Sequence, residues 1–209
     1  MNEMKRCVIV GGADIKNYDR IKNLLRNDDY VIYCDSGLKH KEALGIAPSL
    51  IIGDFDSWEK PETDIEIITL PTIKDDTDTV YAVKEAIKRG FDEFLLIGVT
   101  GGRLDHTLGN LSILLNLFKQ GKKVTAADDY SIITAVGEKS EYISCEFAFF
   151  SLLAIDGEAG GVTIKNAKYP LEDAVITPDF PLGVSNEVLP GETAEVSVKD
   201  GNLILIKVF

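Results

Sequence analysis

Asp54 and Asp56 stand one residue apart in Gly53-Asp54-Phe55-Asp56-Ser57, directly after the apolar residues Leu50-Ile51-Ile52. Two carboxylates held that close repel, and their pKa values rise unless a cation sits between them. Hard oxygen ligands without His or Cys suit magnesium, which takes one or two carboxylates and fills its shell with water or substrate phosphate. Residues i and i+2 share a face of a strand, and in the loop beyond it both can bend toward one ion. A plain turn explains the same five residues equally well, because Asp and Ser form turns and Asp caps helices.

A second cluster, Lys74-Asp75-Asp76-Thr77-Asp78, opens a helical segment. Taken alone it reads as capping: Asp75, Asp76 and Thr77 are N-cap candidates, and Asp78 suits the first helical turn. The stretch Thr100-Gly101-Gly102-Arg103-Leu104-Asp105-His106 says more. Two glycines between a buried strand and a helix let a phosphate approach the backbone, and the helix start offers free N–H groups. Arg103 adds a permanently charged planar fork. Asp105 beside such an anion site points to a metal or to proton transfer; the plainer alternative is a surface loop in which Arg103 pairs with an acid. His106 and Asn110 are four apart and share a helix face, although a lone histidine is more often solvated than catalytic. Asp35, after Val31-Ile32-Tyr33-Cys34, completes the set of acids at strand ends.

These loops need a sheet to hold them on one edge. Cys7–Val10, Tyr30–Cys34, Ser49–Gly53, Ile65–Leu70 and Phe94–Val99 are short runs apolar on both faces, the pattern of strands buried between helix layers. Residues 77–89 place Val80, Val83, Ala86 and Ile87 on one helical stripe. Residues 104–120 place Leu104, Leu108, Leu111, Leu115 and Phe118 on another, and a glycine follows each. Such alternation predicts a mainly parallel sheet with flanking helices, whose ligands bind beyond the carboxyl ends of the strands. After about residue 130 the runs are short, β-rich and broken by Gly, Pro, Asn and Asp, which predicts an antiparallel β-sandwich. Lys199-Asp200-Gly201-Asn202 reads as a hairpin turn before the last strand. The expected organisation is an α/β catalytic domain over 1–128 and a β-sandwich domain over 129–209.

The formal net charge of −12 argues against nucleic acid or an anionic membrane as partner, yet leaves room for a nucleotide carried with a divalent ion. Cys7, Cys34 and Cys145 are scattered and form no C-x-x-C pair, so neither a zinc site nor a disulfide framework is expected. No apolar run reaches membrane length or marks a signal peptide, and a cytoplasmic protein is the expectation.

The ordered set "CDSG", "GDFDSW", "KDDTD" and "TGGRLDHTLGN", followed by "GVTIKNAKYPL" and "LGVSNEV", resembles the thiamine pyrophosphokinase family over nearly the whole chain. The resemblance implies a magnesium-dependent transfer of the diphosphate of ATP to the hydroxyl of thiamine. It also implies a homodimer with the active site at the subunit interface. Asp54, Asp56 and Asp78 would hold the metal, and Asp105 would lie by the thiamine hydroxyl and the reacting phosphates. Asp35, Ser36, Thr100, Gly101, Gly102, Arg103, His106 and Asn110 would hold ATP, with Lys74 reaching a phosphate. Tyr169, Ser185 and Asn186 would form the thiamine pocket. Lys39 stands where the family carries an amide, and Tyr169 where it carries tryptophan. The competing classes are a glycosyltransferase that uses D-x-D to hold a metal–nucleotide sugar, and a sensor that binds nucleotide and vitamin without turnover. A haloacid-dehalogenase-type phosphatase fits less well, since its D-x-D follows the first strand.

Overall fold

The computed structural model describes residues 6–55, 60–71 and 76–209. The chain divides into two compact units, Met1–Asp129 and Tyr130–Phe209.

In the first unit the apolar runs become strands β1 (Arg6–Val10), β2 (Tyr30–Cys34), β3 (Leu50–Gly53), β4 (Ile67–Thr69) and β5 (Glu93–Ile97), joined by β6 (Lys123–Ala127). Their spatial order is β6-β5-β1-β2-β3-β4, and every neighbouring pair is parallel. From β1 the chain winds outward to β4, then returns to β5 on the other side of β1. The winding direction therefore reverses between β1 and β5, which opens a crevice at their carboxyl ends. Val8, Val10, Val31, Tyr33, Leu95 and Ile97 form one core layer with Ile21 of α1 (Tyr18–Lys22) and Leu44 of α2 (Lys41–Leu44). A 3-10 segment, Asp35–His40, leads into α2. These short helical pieces carry no readable periodicity in the sequence.

Two longer helices follow, α3 (Asp78–Lys88) and α4 (Leu104–Lys119). Thr77 caps α3 by accepting the Val80 N–H at 3.4 Å. Both helices are turned from the stripes the sequence suggested. In α3 the buried residues are Thr79, Ala82, Val83 and Ala86, small enough for close approach to the sheet, while Val80 and Ile87 are half-buried. In α4 they are Asn110, Leu114, Leu115 and Leu117, whereas Leu104 and Leu108 are 70% and 54% exposed. Leucines lie on several sides of α4, so the apolar pattern does not choose a face. The inward face is the one that carries the Asn110 carboxamide to the Val99 carbonyl, 2.6 Å away.

The second unit is an antiparallel sandwich. One layer is ordered β12 (Gly183–Asn186), β9 (Phe149–Leu153), β14 (Leu203–Val208), β7 (Ser131–Val136). The other is ordered β11 (Leu171–Ile176), β10 (Ala159–Lys165), β13 (Thr193–Ser197), β8 (Glu141–Ser144). Alternate residues of both layers form the core: Phe150, Leu152, Leu203 and Leu205 from one, Val162, Ile164, Ala194 and Val196 from the other. The Lys199–Asn202 turn closes no hairpin. Gly201 adopts the left-handed conformation at φ +81°, but β13 and β14 lie in different layers, so the turn carries the chain across the sandwich.

Candidate active site

Beyond the carboxyl ends of β1 and β5 lies a cleft of about 420 Å³. Its floor is built on close backbone approach. The Gly11 N–H donates to Ile97 O and the Ala13 N–H to Gly98 O, both at 2.8 Å. A Cβ at Gly11 would come within 2.5 Å of the Gly98 oxygen, and one at Gly98 within 2.5 Å of the Gly11 oxygen. Only paired glycines allow the two loops to meet there.

The loop from β5 into α4 forms a second wall, with Gly101 and Gly102 at φ +95° and +65°. Three contacts brace it. Asn110 donates to Val99 O, the Gly101 N–H donates to Thr107 Oγ1 at 3.0 Å, and that hydroxyl donates to Arg103 O at 3.1 Å. Helix α4 starts without a side-chain cap from Arg103, so its first N–H groups keep the positive end of the helix dipole beside this wall. Arg103 and Asp105 are paired with each other at 2.6 Å, and both are exposed. The Arg103 guanidinium lowers the Asp105 carboxyl to about 2.

The acids gather on the other side of β1. Asp35 directly follows β2, Asp54 directly follows β3, and Asp78 is the first residue of α3. Each offers one carboxylate oxygen, and the three oxygens lie within 4.8 Å of one another. Asp35 is buried; Asp54 and Asp78 are half-buried. The parallel register pairs Cys34 with Ile52, so Asp35 comes alongside Gly53. A Cβ at Gly53 would stand 2.9 Å from the Asp35 Cβ, so glycine there gives the acid its space. Phe55 adopts a left-handed φ of +56° and turns the chain right after Asp54. Oxygen ligands of magnesium, each about 2.1 Å from the ion, lie roughly 3 to 4 Å apart. The three acids offer the donor type that magnesium takes and lie close enough together to converge on one ion. Asp56 and Lys74 lie outside the described residues.

Asp35, Ser36, Gly101, Gly102, Arg103, His106 and Asn110 all line the cleft. Thr100 does not; it is buried and donates to Asp128 at 3.0 Å. The sequence reading passed over Gly11, Gly12, Ala13, Asp14, Thr79, Gly98 and Val99, which also line it. The signal for the first of these was present, since "CVIVGG" is a strand running into a glycine turn. Lys39 pairs with Asp14 at 2.7 Å on the cleft's edge. His40 was missed as well. It is buried, its Nε2 donates to Ala13 O at 2.9 Å, and its Nδ1 accepts from the Tyr18 hydroxyl at 2.7 Å. Burial pulls its pKa down.

In the second unit, Tyr169 and Asn186 are adjacent. Asn186 is buried, Tyr169 is 58% exposed, and the Lys168 ammonium stands 5.6 Å from the Tyr169 ring centroid. Ser185 takes a left-handed φ of +58°, and its N–H donates to Ser151 Oγ at 3.0 Å. All three cysteines are free thiols. No helix among the described residues is long and apolar enough to cross a membrane.

A parallel α/β unit with a glycine-walled cleft at its switch point, an arginine beside a helix start and three converging acids has the plan of an enzyme that handles phosphorylated ligands. Known families make that class specific. Residues 21–126 match the family described as thiamin pyrophosphokinase, catalytic domain, and residues 139–203 match thiamin pyrophosphokinase, vitamin B1 binding domain. The chain belongs to the thiamin pyrophosphokinase family. It is 30% identical over 171 residues to the thiamine pyrophosphokinase of Bacillus subtilis, covering 78% of this chain and 79% of that one. It is 23% identical over 217 residues to thiamin pyrophosphokinase 1 of Caenorhabditis elegans, covering 97% and 88%. The crystal structure of the Bacillus subtilis enzyme superimposes with a TM-score of 0.86 at 26% identity, over 98% of this chain and 99% of that one.

Proposed function

We propose that this chain transfers the diphosphate group of ATP to the hydroxyl of thiamine, with magnesium, giving thiamine diphosphate and AMP. The observation that carries this reading is the convergence of Asp35, Asp54 and Asp78 beside a glycine-walled cleft. The hydroxyl oxygen attacks the β-phosphorus, the bond from that phosphorus to the α-phosphate oxygen breaks, and AMP leaves. Asp35, Asp54 and Asp78, with Asp56, would hold the metal, which when bound supplies positive charge to the phosphate oxygens. The backbone around Gly11-Gly12 and Gly101-Gly102 takes the triphosphate at close range, and Arg103 swings from Asp105 onto a phosphate oxygen. Asp105, released from that ion pair, orients the thiamine hydroxyl and takes its proton as the new bond forms, which suits a loose transition state that asks for position more than early deprotonation.

The sandwich unit would bring Tyr169, Ser185 and Asn186 to thiamine, in a cytoplasmic homodimer whose active site is completed at the subunit interface. Leu104 and Leu108, exposed on α4, offer apolar surface to the second copy. The test is a mass-spectrometric assay of the full chain with ATP, magnesium and thiamine. AMP and thiamine diphosphate should appear in equal amounts, and a chelator should stop the reaction. ADP with thiamine monophosphate, or binding without turnover, would refute it.

A further inference from the structure

We infer that Asn186 is a positioning residue: its carboxamide holds the backbone of Tyr169 and so fixes the exposed ring on which thiamine rests. The inference rests on the reading of Tyr169 as a thiamine contact. Tyr169 lies in the connection between β10 and β11, outside any strand. Up to that point the connection is held by backbone pairing with the segment after β12. Leu189 N–H donates to Asn166 O at 3.0 Å, Ala167 bridges Val188, and Lys168 N–H donates to Glu187 O at 2.9 Å. The next rung would pair Tyr169 with residue 186, but the Asn186 backbone is already paired with Phe150 of β9. The side chain completes the rung instead. Asn186 Oδ1 accepts the Tyr169 N–H at 3.0 Å, and Nδ2 donates to Tyr169 O at 2.7 Å.

Oδ1 also accepts the Glu187 N–H at 2.9 Å. The Glu187 carboxylate in turn holds the Lys168 ammonium at 2.7 Å, and that ammonium stands over the Tyr169 ring. One buried amide thus sets the ring's backbone and the anchor of the cation beside it. A primary carboxamide offers a donor and an acceptor side by side on one carbon for this task; a carboxylate lacks the donor and an alkyl side chain lacks both. Ser185, in its left-handed conformation, is the strained step immediately before it. A tyrosine more than half exposed adds little to the core, so pinning it this firmly serves the surface it presents.

A double-mutant cycle on the full chain tests the inference, read as steady-state kinetics in excess magnesium with thiamine and ATP each varied while the other is saturating. Tyr169→Ala should raise KM for thiamine about tenfold, within the range for losing one stacking platform, and move kcat and KM for ATP less than about twofold. Asn186→Ala should give the same split, and the double variant should be no worse than Tyr169→Ala alone. Asn186→Asp keeps the acceptor for both N–H groups, loses the donor and adds a negative charge; it takes the place of the alanine variant in the cycle should that variant fail to fold. Two results overturn the positioning role: losses that multiply in the double variant, or Asn186 variants that lower kcat and the affinity for ATP as much as that for thiamine. A wild-type KM for thiamine in Tyr169→Ala sinks the platform reading itself, and that single variant tells the two failures apart.

Discussion

Asp54→Asn removes one charge from the acid trio and keeps the size of the side chain. The Asp54 oxygen lies within 4.8 Å of one from Asp35 and one from Asp78. Two unit charges at that separation repel by about 0.9 kcal/mol in water and about 3.5 kcal/mol at an effective dielectric of 20. Asp54 and Asp78 are half-buried and Asp35 is buried, so the water figure is a lower bound. Relieving two such pairs stabilises the metal-free protein by at least about 2 kcal/mol. For a chain of this size that corresponds to a melting temperature at least about 4 °C higher. Magnesium reverses the order, because an ion that binds only the native state stabilises in proportion to its affinity. Wild type should gain strongly from excess magnesium and the variant little. The assay is a pair of thermal melts, in chelator and in excess magnesium, beside a magnesium titration of turnover, where the variant should need at least about tenfold more ion. The reasoning is refuted if Asp54→Asn melts below wild type in chelator and keeps the wild-type magnesium requirement.

Three further outcomes are expected. Gly98→Ala places a Cβ 2.5 Å from the Gly11 oxygen; denaturant unfolding should show a loss of about 2 kcal/mol or more from overpacking, and ATP binding should fall with it. Burial holds the His40 pKa below its ordinary value, so its contribution is intact above about pH 6.5 and is lost as pH falls through the lowered folded value. His40→Leu should flatten that acid limb in a series of melts across pH. Arg103 holds Asp105 near 2, so Arg103→Gln should return the carboxyl toward about 3.9 in a carbon-detected NMR titration; an unmoved titration would show that the ion pair does not form in solution.

The parallel sheet was legible because each strand is apolar on both faces, and only burial between helix layers explains that. The sandwich was legible from the short β-rich runs broken by Gly, Pro, Asn and Asp after residue 130. Strand order was not, since nothing local says that β5 returns to the far side of β1, and the cleft exists only because it does. The face of α4 was not legible either, because leucines on several sides let a polar contact, Asn110 to Val99 O, decide the rotation. The Lys199–Asn202 turn misled for a related reason: a tight turn fixes local geometry, and the sheet that claims the next strand is settled by distant pairing. Of the Lys74–Asp78 stretch residues 76–78 are described: Thr77 caps the helix, and Asp78 stands at its first position with a carboxylate oxygen within 4.8 Å of those of Asp35 and Asp54.

Residue type shows that a side chain has polar work to do, but not on what. Asn110 and Asn186 sit at positions that the family likeness assigns to ligand binding, and in both the amide nitrogen donates to a backbone carbonyl, Val99 O and Tyr169 O. In each case the carbonyl belongs to a segment without regular structure that presents a surface, the glycine wall of the cleft or the exposed tyrosine ring. A strand ladder cannot reach these segments, and an unpaired carbonyl near the core would draw them out of shape. A buried carboxamide supplies the missing partner without adding charge. Where a site is built at the ends of strands, the residues that shape it therefore include those that complete the hydrogen bonding of its loops.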